Sequence, residues 1–344
     1  MSLPDTASGR KPRRLGLILP FVIALVLIIA WAIGWFWLRS QAVRGMDAQI
    51  EQMRNSGYEV AWKQRQVGGF PFRLGVTLTE ARIREPSGWA LAAPRLEAQA
   101  PVYALDSWIA AVPEGLTFTR PIGGPVEVRG RLIRASLGEL SDSPPSFSFE
   151  GRDLTFAPGP GAQPFALSAA ESVELHLRAM PEDQGVVRFR VDQGKARLSG
   201  LFAQIAGEKP VSMIFEGVFD KAGSFRGSDW ASAVRAWTDA GGRLSVRQGG
   251  VTAGEALIGA QSGTLTVGTD GRLRGTLDAS LQQAPRALEA MSATGVIPQE
   301  AAEAASAVAQ ARALGGDLAR ATLTFQAGRT TLGPVAIGPA PRVY

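Results

Sequence analysis

Few residues in this chain could carry acid–base or metal chemistry, and those few lie apart. The chain has 344 residues, with a single histidine, His176, and no cysteine. A Ser-His-Asp triad is therefore improbable, because His176 alone could supply its base, and a site with several histidine ligands is impossible. Disulfides, thiolate metal sites and a Cys nucleophile are excluded as well.

The surroundings of His176 predict a surface residue. Leu175 and Leu177 flank it in a period-two pattern, so His176 should point away from their apolar face. Glu182 and Asp183 follow a proline and precede a glycine, which is typical of a hairpin tip and less so of a carboxylate pair for acid–base catalysis. We find no nucleophile elbow, phosphate loop or zinc-binding HExxH motif. The sequence predicts no catalytic, cofactor-binding or metal-binding residue; a hydrolase using carboxylates is the least favoured class.

The charge distribution argues against nucleic acid as a partner. The net charge is +5, but residues 1–14 contribute +3 of it, so the remaining 330 residues carry only +2. A basic patch for nucleic acid has little from which to be built.

A continuous uncharged segment, residues 15–38, predicts a transmembrane helix. Its 24 residues would form about 36 Å of helix, against a hydrocarbon core of roughly 30 Å. Trp31, Trp35 and Trp37 lie near its end, where aromatic rings prefer the membrane interface. The alternative is a cleaved signal peptide, whose apolar region is usually only about 7–15 residues long.

Orientation follows from the short basic tail. Residues 1–14 are predicted to be cytoplasmic, which places the bulk of the chain on the other side of the membrane. The excess of arginine over lysine, together with abundant Ala and Gly, suggests a GC-rich bacterial genome. The expected location is the inner membrane, with a periplasmic domain.

After residue 38, the spacing of apolar residues changes from a helical period to a period of two. Residues 39–56 keep a helical pattern, and Gly57 is a plausible end. Residues 57–344 contain many short alternating runs, with turn signals such as Asp270-Gly271 and Ala327-Gly328. The fold class expected is mainly β: a transmembrane helix followed by an elongated, curved antiparallel sheet with a small helical insertion toward the C-terminus.

Three segments are predicted to interrupt the strands as helices: Asp229–Ala240, Pro285–Met291 and Pro298–Leu314. Residues 143–164 are rich in Pro and Gly at both ends and could mark a boundary between two β lobes.

The most distinctive local segment is Gly68-Gly69-Phe70-Pro71-Phe72-Arg73. It opens an alternating run whose apolar members are predicted to share one face of a strand: Phe70, Phe72, Leu74, Val76 and Leu78. This face is either closed core or the lining of an apolar groove, and periodicity does not distinguish the two.

The sequence resembles a bacterial family of Gram-negative envelope proteins, the domain-of-unknown-function family 2125 (DUF2125). The resemblance is carried by the short tail, the single span, the Gly-Phe-Pro-Phe-Arg run and the ending LGPVAIGPAPRVY. That family is distantly similar to AsmA-like proteins, which pair an inner-membrane anchor with an elongated β groove linked to lipid traffic. The resemblance implies a location and an architecture, and no catalytic residues.

Two functions are expected from these observations. The first is non-enzymatic binding or handling of a lipid, or another hydrophobic envelope component, by an apolar sheet face. The alternative is a structural or assembly partner that uses its sheet edges to bind other envelope proteins. An open apolar concavity favours the first function, and a closed core favours the second.

Overall fold

The computed structural model describes residues 15–140, 142, 144–196, 209–253, 256–282, 319–333 and 335–344. Its architecture is mainly β, as the sequence predicts: a long apolar N-terminal helix leads into a large antiparallel sheet, with one short helix near residue 230.

The first helix, α1, runs without a break from Leu15 to Asn55. The predicted span and the predicted membrane-proximal helix are therefore one element. Its 41 residues measure about 60 Å, roughly twice the hydrocarbon thickness, so a membrane could enclose only about half of it. Gly57, with φ of 89°, ends it. Within the described ranges, α1 is the one helix apolar and long enough to cross a membrane, with a mean hydropathy of 2.5 in its most apolar window; a signal sequence has the same properties.

Eighteen strands follow within the described residues. The first nine are β1 (Glu59–Ala61), β2 (Gln64–Gly68), β3 (Arg73–Arg84), β4 (Ala90–Pro101), β5 (Trp108–Ala111), β6 (Leu116–Arg120), β7 (Gly124–Arg129), β8 (Leu132–Gly138) and β9 (Ser146–Pro158). The other nine are β10 (Leu167–Met180), β11 (Gln184–Ala196), β12 (Val211–Asp220), β13 (Leu244–Ala253), β14 (Ala256–Val267), β15 (Leu273–Gln282), β16 (Ala319–Gln326), β17 (Arg329–Leu332) and β18 (Val335–Pro339).

The strands form one antiparallel sheet with a split in its first half. Both β1 and β2 pair with β3, and β3 pairs with β4. One end of β4 then pairs with β6 and the other with β5, and these two branches rejoin through β7 and β8 at β9. From β9 to β18 each strand pairs with the next. Residues 143–164 contain β9, which is paired on both sides, so the sheet continues through this segment.

The short helix α2 (Trp230–Asp239) has the predicted start and end. The Asp229 side chain accepts the backbone N–H of Ser232 at 2.7 Å, which also lowers the pKa of Asp229, and the Asp229 backbone N–H donates to the Ser232 hydroxyl. Gly241 follows with φ of 78°. The other two predicted helices, Pro285–Met291 and Pro298–Leu314, lie outside the described residues.

Two predicted hairpin turns are confirmed. Gly271, between β14 and β15, has φ of 73°. Ala327 and Gly328, between β16 and β17, both have positive φ, as a two-residue type I′ hairpin turn requires. Glu182 and Asp183 also form a hairpin tip, with φ of 62° and 55°.

Candidate functional site

The strand registers align an apolar row across most of the sheet. Directly opposed residues of neighbouring antiparallel strands share a face, so a chain of such partners marks one side. From β2 to β15 this row is Val67, Val76, Ala98, Ala110, Ala135, Phe149, Leu175, Phe189, Phe215, Gly249, Ala260 and Ala279. Val76 and Ala279 are buried, whereas the other members are only half-buried. The row is therefore apolar without being a closed core along its length.

A second apolar row lies two residues further along the strands. It consists of Leu78, Leu96, Ile133, Gly151, Val173, Val191, Met213 and Val251. Neighbouring members are again direct cross-strand partners, except Leu96 of β4 and Ile133 of β8. The two rows make a broad apolar face. We call this face, from β3 to β12, the apolar groove.

The opposite face of the same strands is charged. Arg134 contacts Glu150 at 2.5 Å, and Arg152 lies between Glu150 and Glu174, at 3.1 and 2.7 Å. The hydrogen bond from Arg134 lowers the pKa of the Glu150 carboxyl. Hydrogen-bonded ion pairs of this kind keep the outer face in water, so the sheet is amphipathic.

His176 lies on this outer face, as predicted. It is exposed, with Nδ1 at 3.0 Å from the Ser148 hydroxyl and Nε2 at 4.0 Å from the Glu174 carboxylate. Within the described ranges, no three His, Asp or Glu side chains come together in a way that could hold a metal ion. The apolar groove is thus the site that the geometry offers.

The groove is concave and encloses a cavity of about 700 Å³, which we call the proximal cavity. Its walls include strands from β1 to β10, together with Ile50 of α1. In a flat sheet β3 and β10 would lie about 24 Å apart, at about 4.8 Å per strand. Because both line one cavity, the sheet must curl around it.

Small side chains keep the proximal cavity open. Seven alanines line it: Ala61, Ala81, Ala92, Ala93, Ala110, Ala111 and Ala135. Ala110 and Ala135 are direct cross-strand partners, so two neighbouring positions of the apolar row project only a methyl group. The charged residues at its wall are Arg82 and Arg134; both side chains are exposed, and that of Arg134 pairs with Glu150 on the outer face. The cavity is therefore chemically suited to a hydrocarbon chain.

Two further cavities continue the apolar path. The middle cavity, about 380 Å³, shares Ile83, Leu91 and Phe118 with the proximal cavity. The distal cavity, about 400 Å³, lies between α2 and the sheet and shares Trp230 with the middle cavity. The Trp230 backbone N–H donates to Glu85 Oε1 at 2.6 Å, which ties α2 to the loop between β3 and β4. The sequence reveals Trp230 only as the first residue of a capped helix, because its contact with Glu85 spans 145 positions.

The structure places the five predicted face residues in three different environments. Leu74 and Val76 are buried, at 1% and 7% exposed. Leu78 is half-buried and lines the proximal cavity. Phe70 and Phe72 precede β3, in a turn that contacts α1, and are 51% and 66% exposed. Residues 70–78 therefore pass from an exposed turn, through two buried positions, to the wall of the proximal cavity.

Comparison with known proteins places the chain in a family. Neither a curated protein nor a solved structure matches it. One family model, described as "Uncharacterized protein conserved in bacteria (DUF2125)", matches residues 35–341, which include the last part of α1 and the sheet. The match extends over most of the sequence, and the chain belongs to the DUF2125 family.

Proposed function

We propose that this chain is a non-enzymatic protein of the bacterial inner membrane that binds the acyl chains of a lipid, or a similar hydrophobic envelope component, in its apolar groove. The observation that carries the proposal is the apolar row from β2 to β15, most of whose members stay half-buried. A protein interior buries such a row, whereas a ligand-binding face leaves it accessible.

The size and lining of the proximal cavity support a lipid ligand. Its volume of about 700 Å³ falls within the roughly 300–1,000 Å³ of small-molecule sites. Each methylene moved from water into such a lining contributes about 0.8 kcal/mol. An acyl chain has many methylenes to bury, and the alanines leave room for it along the wall.

The position of α1 supports exchange of the ligand with a membrane. Ile50 of α1 forms part of the cavity wall, and the apolar segment of the same helix lies N-terminal to it. A hydrocarbon chain leaving the bilayer along α1 would therefore reach the groove at Ile50, about 18 Å beyond Leu38 along the helix axis.

Native mass spectrometry of the full chain, extracted in mild detergent, tests this proposal. We expect bound lipid with the wild type and much less with Ala135→Leu, which fills the cavity wall. Ser136→Leu is the matched control, because Ser136 follows Ala135 in β8 and pairs with the same two strands, β5 and β9, but points to the opposite face. Lipid-free wild type, or equal lipid loss in both variants, would refute binding in the groove and favour an assembly role through the sheet edges.

The orientation is tested separately. With residues 1–14 in the cytoplasm, a reporter that is active only in the periplasm should be active when fused after Tyr344. The mature protein should also retain the N-terminal peptide through Leu38. A cytoplasmic reporter that is active in the same position, or loss of that peptide, would contradict the membrane-anchored arrangement.

A further inference from the structure

The chain turns back toward the membrane immediately after α1 ends. In β2, Arg65 contacts Asp47 of α1 at 2.5 Å, and the Arg39 side chain donates to the Val67 carbonyl at 3.2 Å. As the residue number rises in β2, its partner in α1 lies earlier in the helix. β2 therefore runs antiparallel along α1, toward the apolar segment.

The turn after β2, residues 70–72, reaches the apolar segment itself. We call it the aromatic turn. Trp31 Nε1 donates to the Pro71 carbonyl at 3.1 Å, and Trp35 Nε1 donates to the Arg73 carbonyl at 3.1 Å. Trp31 lies seven residues before Leu38, or about 10 Å deeper along the helix axis at about 1.5 Å per residue. A membrane that surrounds the uncharged segment of α1 must therefore surround or touch the aromatic turn.

The side chains of the aromatic turn suit such surroundings. The Phe70 ring lies 5.4 Å from Trp35 and 6.4 Å from Phe36, and the Phe72 ring lies 6.4 Å from Trp31. Despite these contacts, both phenylalanines remain more than half exposed. Two exposed aromatic rings next to an apolar helix would be unfavourable in water and favourable in lipid.

A neighbouring turn extends the same surface. The Val102 backbone N–H donates to the Phe72 carbonyl at 3.1 Å, and Tyr103, the next residue, is 86% exposed. Tyrosine prefers the membrane–water interface, because its ring is apolar and its hydroxyl is polar.

We infer that the aromatic turn inserts into the leaflet at the C-terminal end of the α1 span, with Tyr103 at the headgroup level. The occupant of this surface is the lipid bilayer. The sheet then has a second membrane contact besides α1, which fixes the groove beside the bilayer. This inference concerns membrane contact alone and stands whatever the apolar groove binds.

The cysteine-free sequence allows a direct test with the full chain in liposomes of phosphatidylethanolamine and phosphatidylglycerol. Tyr103→Cys is labelled with the fluorophore NBD, and nitroxide-labelled lipid serves as the quencher. Ile122→Cys is the matched control, because Ile122 is also an exposed apolar turn residue, at 78%. It lies beyond the other end of β3 and β4, about 36 Å away at about 3.3 Å per residue.

We expect the probe at position 103 to emit at shorter wavelength and to be quenched several-fold more strongly than the probe at position 122. Adding Phe70→Ser and Phe72→Ser to Tyr103→Cys should remove most of this difference while α1 keeps the protein in the membrane. Equal emission and quenching at positions 103 and 122 would overturn the inference. So would quenching at position 103 that is unchanged by the two serine substitutions.

Discussion

The proximal and distal regions of the sheet present the same kind of apolar face but cover it differently. In the distal region, α2 packs into the concavity, where Val234 and Trp237 are 1% and 4% exposed against Phe219 and Val267. In the proximal region, α1 contributes only Ile50 to the wall of the cavity. The distal core thus forms between a helix and the sheet, whereas the buried cluster of the proximal region, which includes Val126, Ile133 and Leu154, is formed by strands of the curled sheet and the loops between them.

The C-terminal segment strengthens the distal cover. Ala340 is 1% exposed within a cluster that includes Leu277 and Phe325. The Trp230 indole donates to the Val343 carbonyl at 2.8 Å, and the Arg272 side chain donates to the Ala340 carbonyl at 2.6 Å. The distal face is therefore covered by two segments, α2 and the C-terminal residues, and the distal cavity lies beneath this cover.

The largest effect on stability should come from truncating Trp237, the side chain through which α2 packs on the distal sheet. Trp237→Ala should lower the free energy of unfolding by about 3–5 kcal/mol, because it removes a 4%-exposed indole from between α2 and the sheet and enlarges the distal cavity. It also leaves the Asp220 carbonyl without the indole N–H that donates to it at 2.7 Å. Leu91→Ala, at a 46%-exposed position lining the proximal cavity, is the control and should cost much less. Thermal unfolding of the two variants measures the difference, and equal losses would contradict the contrast between the regions.

A smaller contrast should appear within β3. Val76→Thr places a hydroxyl at a 7%-exposed position and should lower stability by roughly 1–3 kcal/mol. Leu78→Gln, at the half-buried cavity wall, should be better tolerated, because water can reach the new amide, while lipid binding weakens. Thermal melts and lipid co-purification on both variants check this. Equally sharp destabilisation in both, with no lipid recovered from the wild type, would identify the whole strand as core.

Local sequence patterns predict the strands, the start of α2 and the hairpin turns. Asp229 and Ser232 cap α2 through bonds within four residues, and Gly271 and Gly328 adopt the positive φ their turns require. Helix caps and tight turns depend on residues close together in the chain, so a sequence pattern can predict them.

The features that the sequence alone does not predict, the aromatic turn and the apolar row, depend on contacts between distant residues. Phe70 and Phe72 continue the alternation of β3, but the adjacent glycines and Pro71 form a turn, and Trp31 and Trp35 bind it. The apolar row likewise depends on the register of every strand pair, which no single strand encodes. The choice between core and groove could not be made before those registers were known.

The ion pairs on the outer face of the sheet predict a modest pH dependence of protein stability. Hydrogen bonds from Arg134 and Arg190 lower the pKa values of Glu150 and Asp192 below their ordinary values of 4.5 and 3.8. The stabilisation is therefore present above those values and is lost as the pH falls through the lower folded-state pKa values. Partly exposed ion pairs typically contribute about 0–1 kcal/mol, so the shift in melting temperature should be small. Melts of wild type and Glu150→Gln between pH 7 and pH 3, approximately spanning these transitions, should converge at the acidic end; a constant gap would contradict this ion-pair account.

The smallest effect is expected at the residue best suited by type to catalysis. His176→Ala removes an exposed side chain whose contacts are the Ser148 hydroxyl and the Glu174 carboxylate, so stability should change by no more than about 0.5 kcal/mol. Lipid recovery should equal that of the wild type, because His176 lies on the face opposite the apolar groove. Any phenotype of the gene should persist in the variant for the same reason. Loss of that phenotype by a protein that melts normally and still carries lipid would show that His176 acts chemically, and the proposal of a non-enzymatic protein would fail.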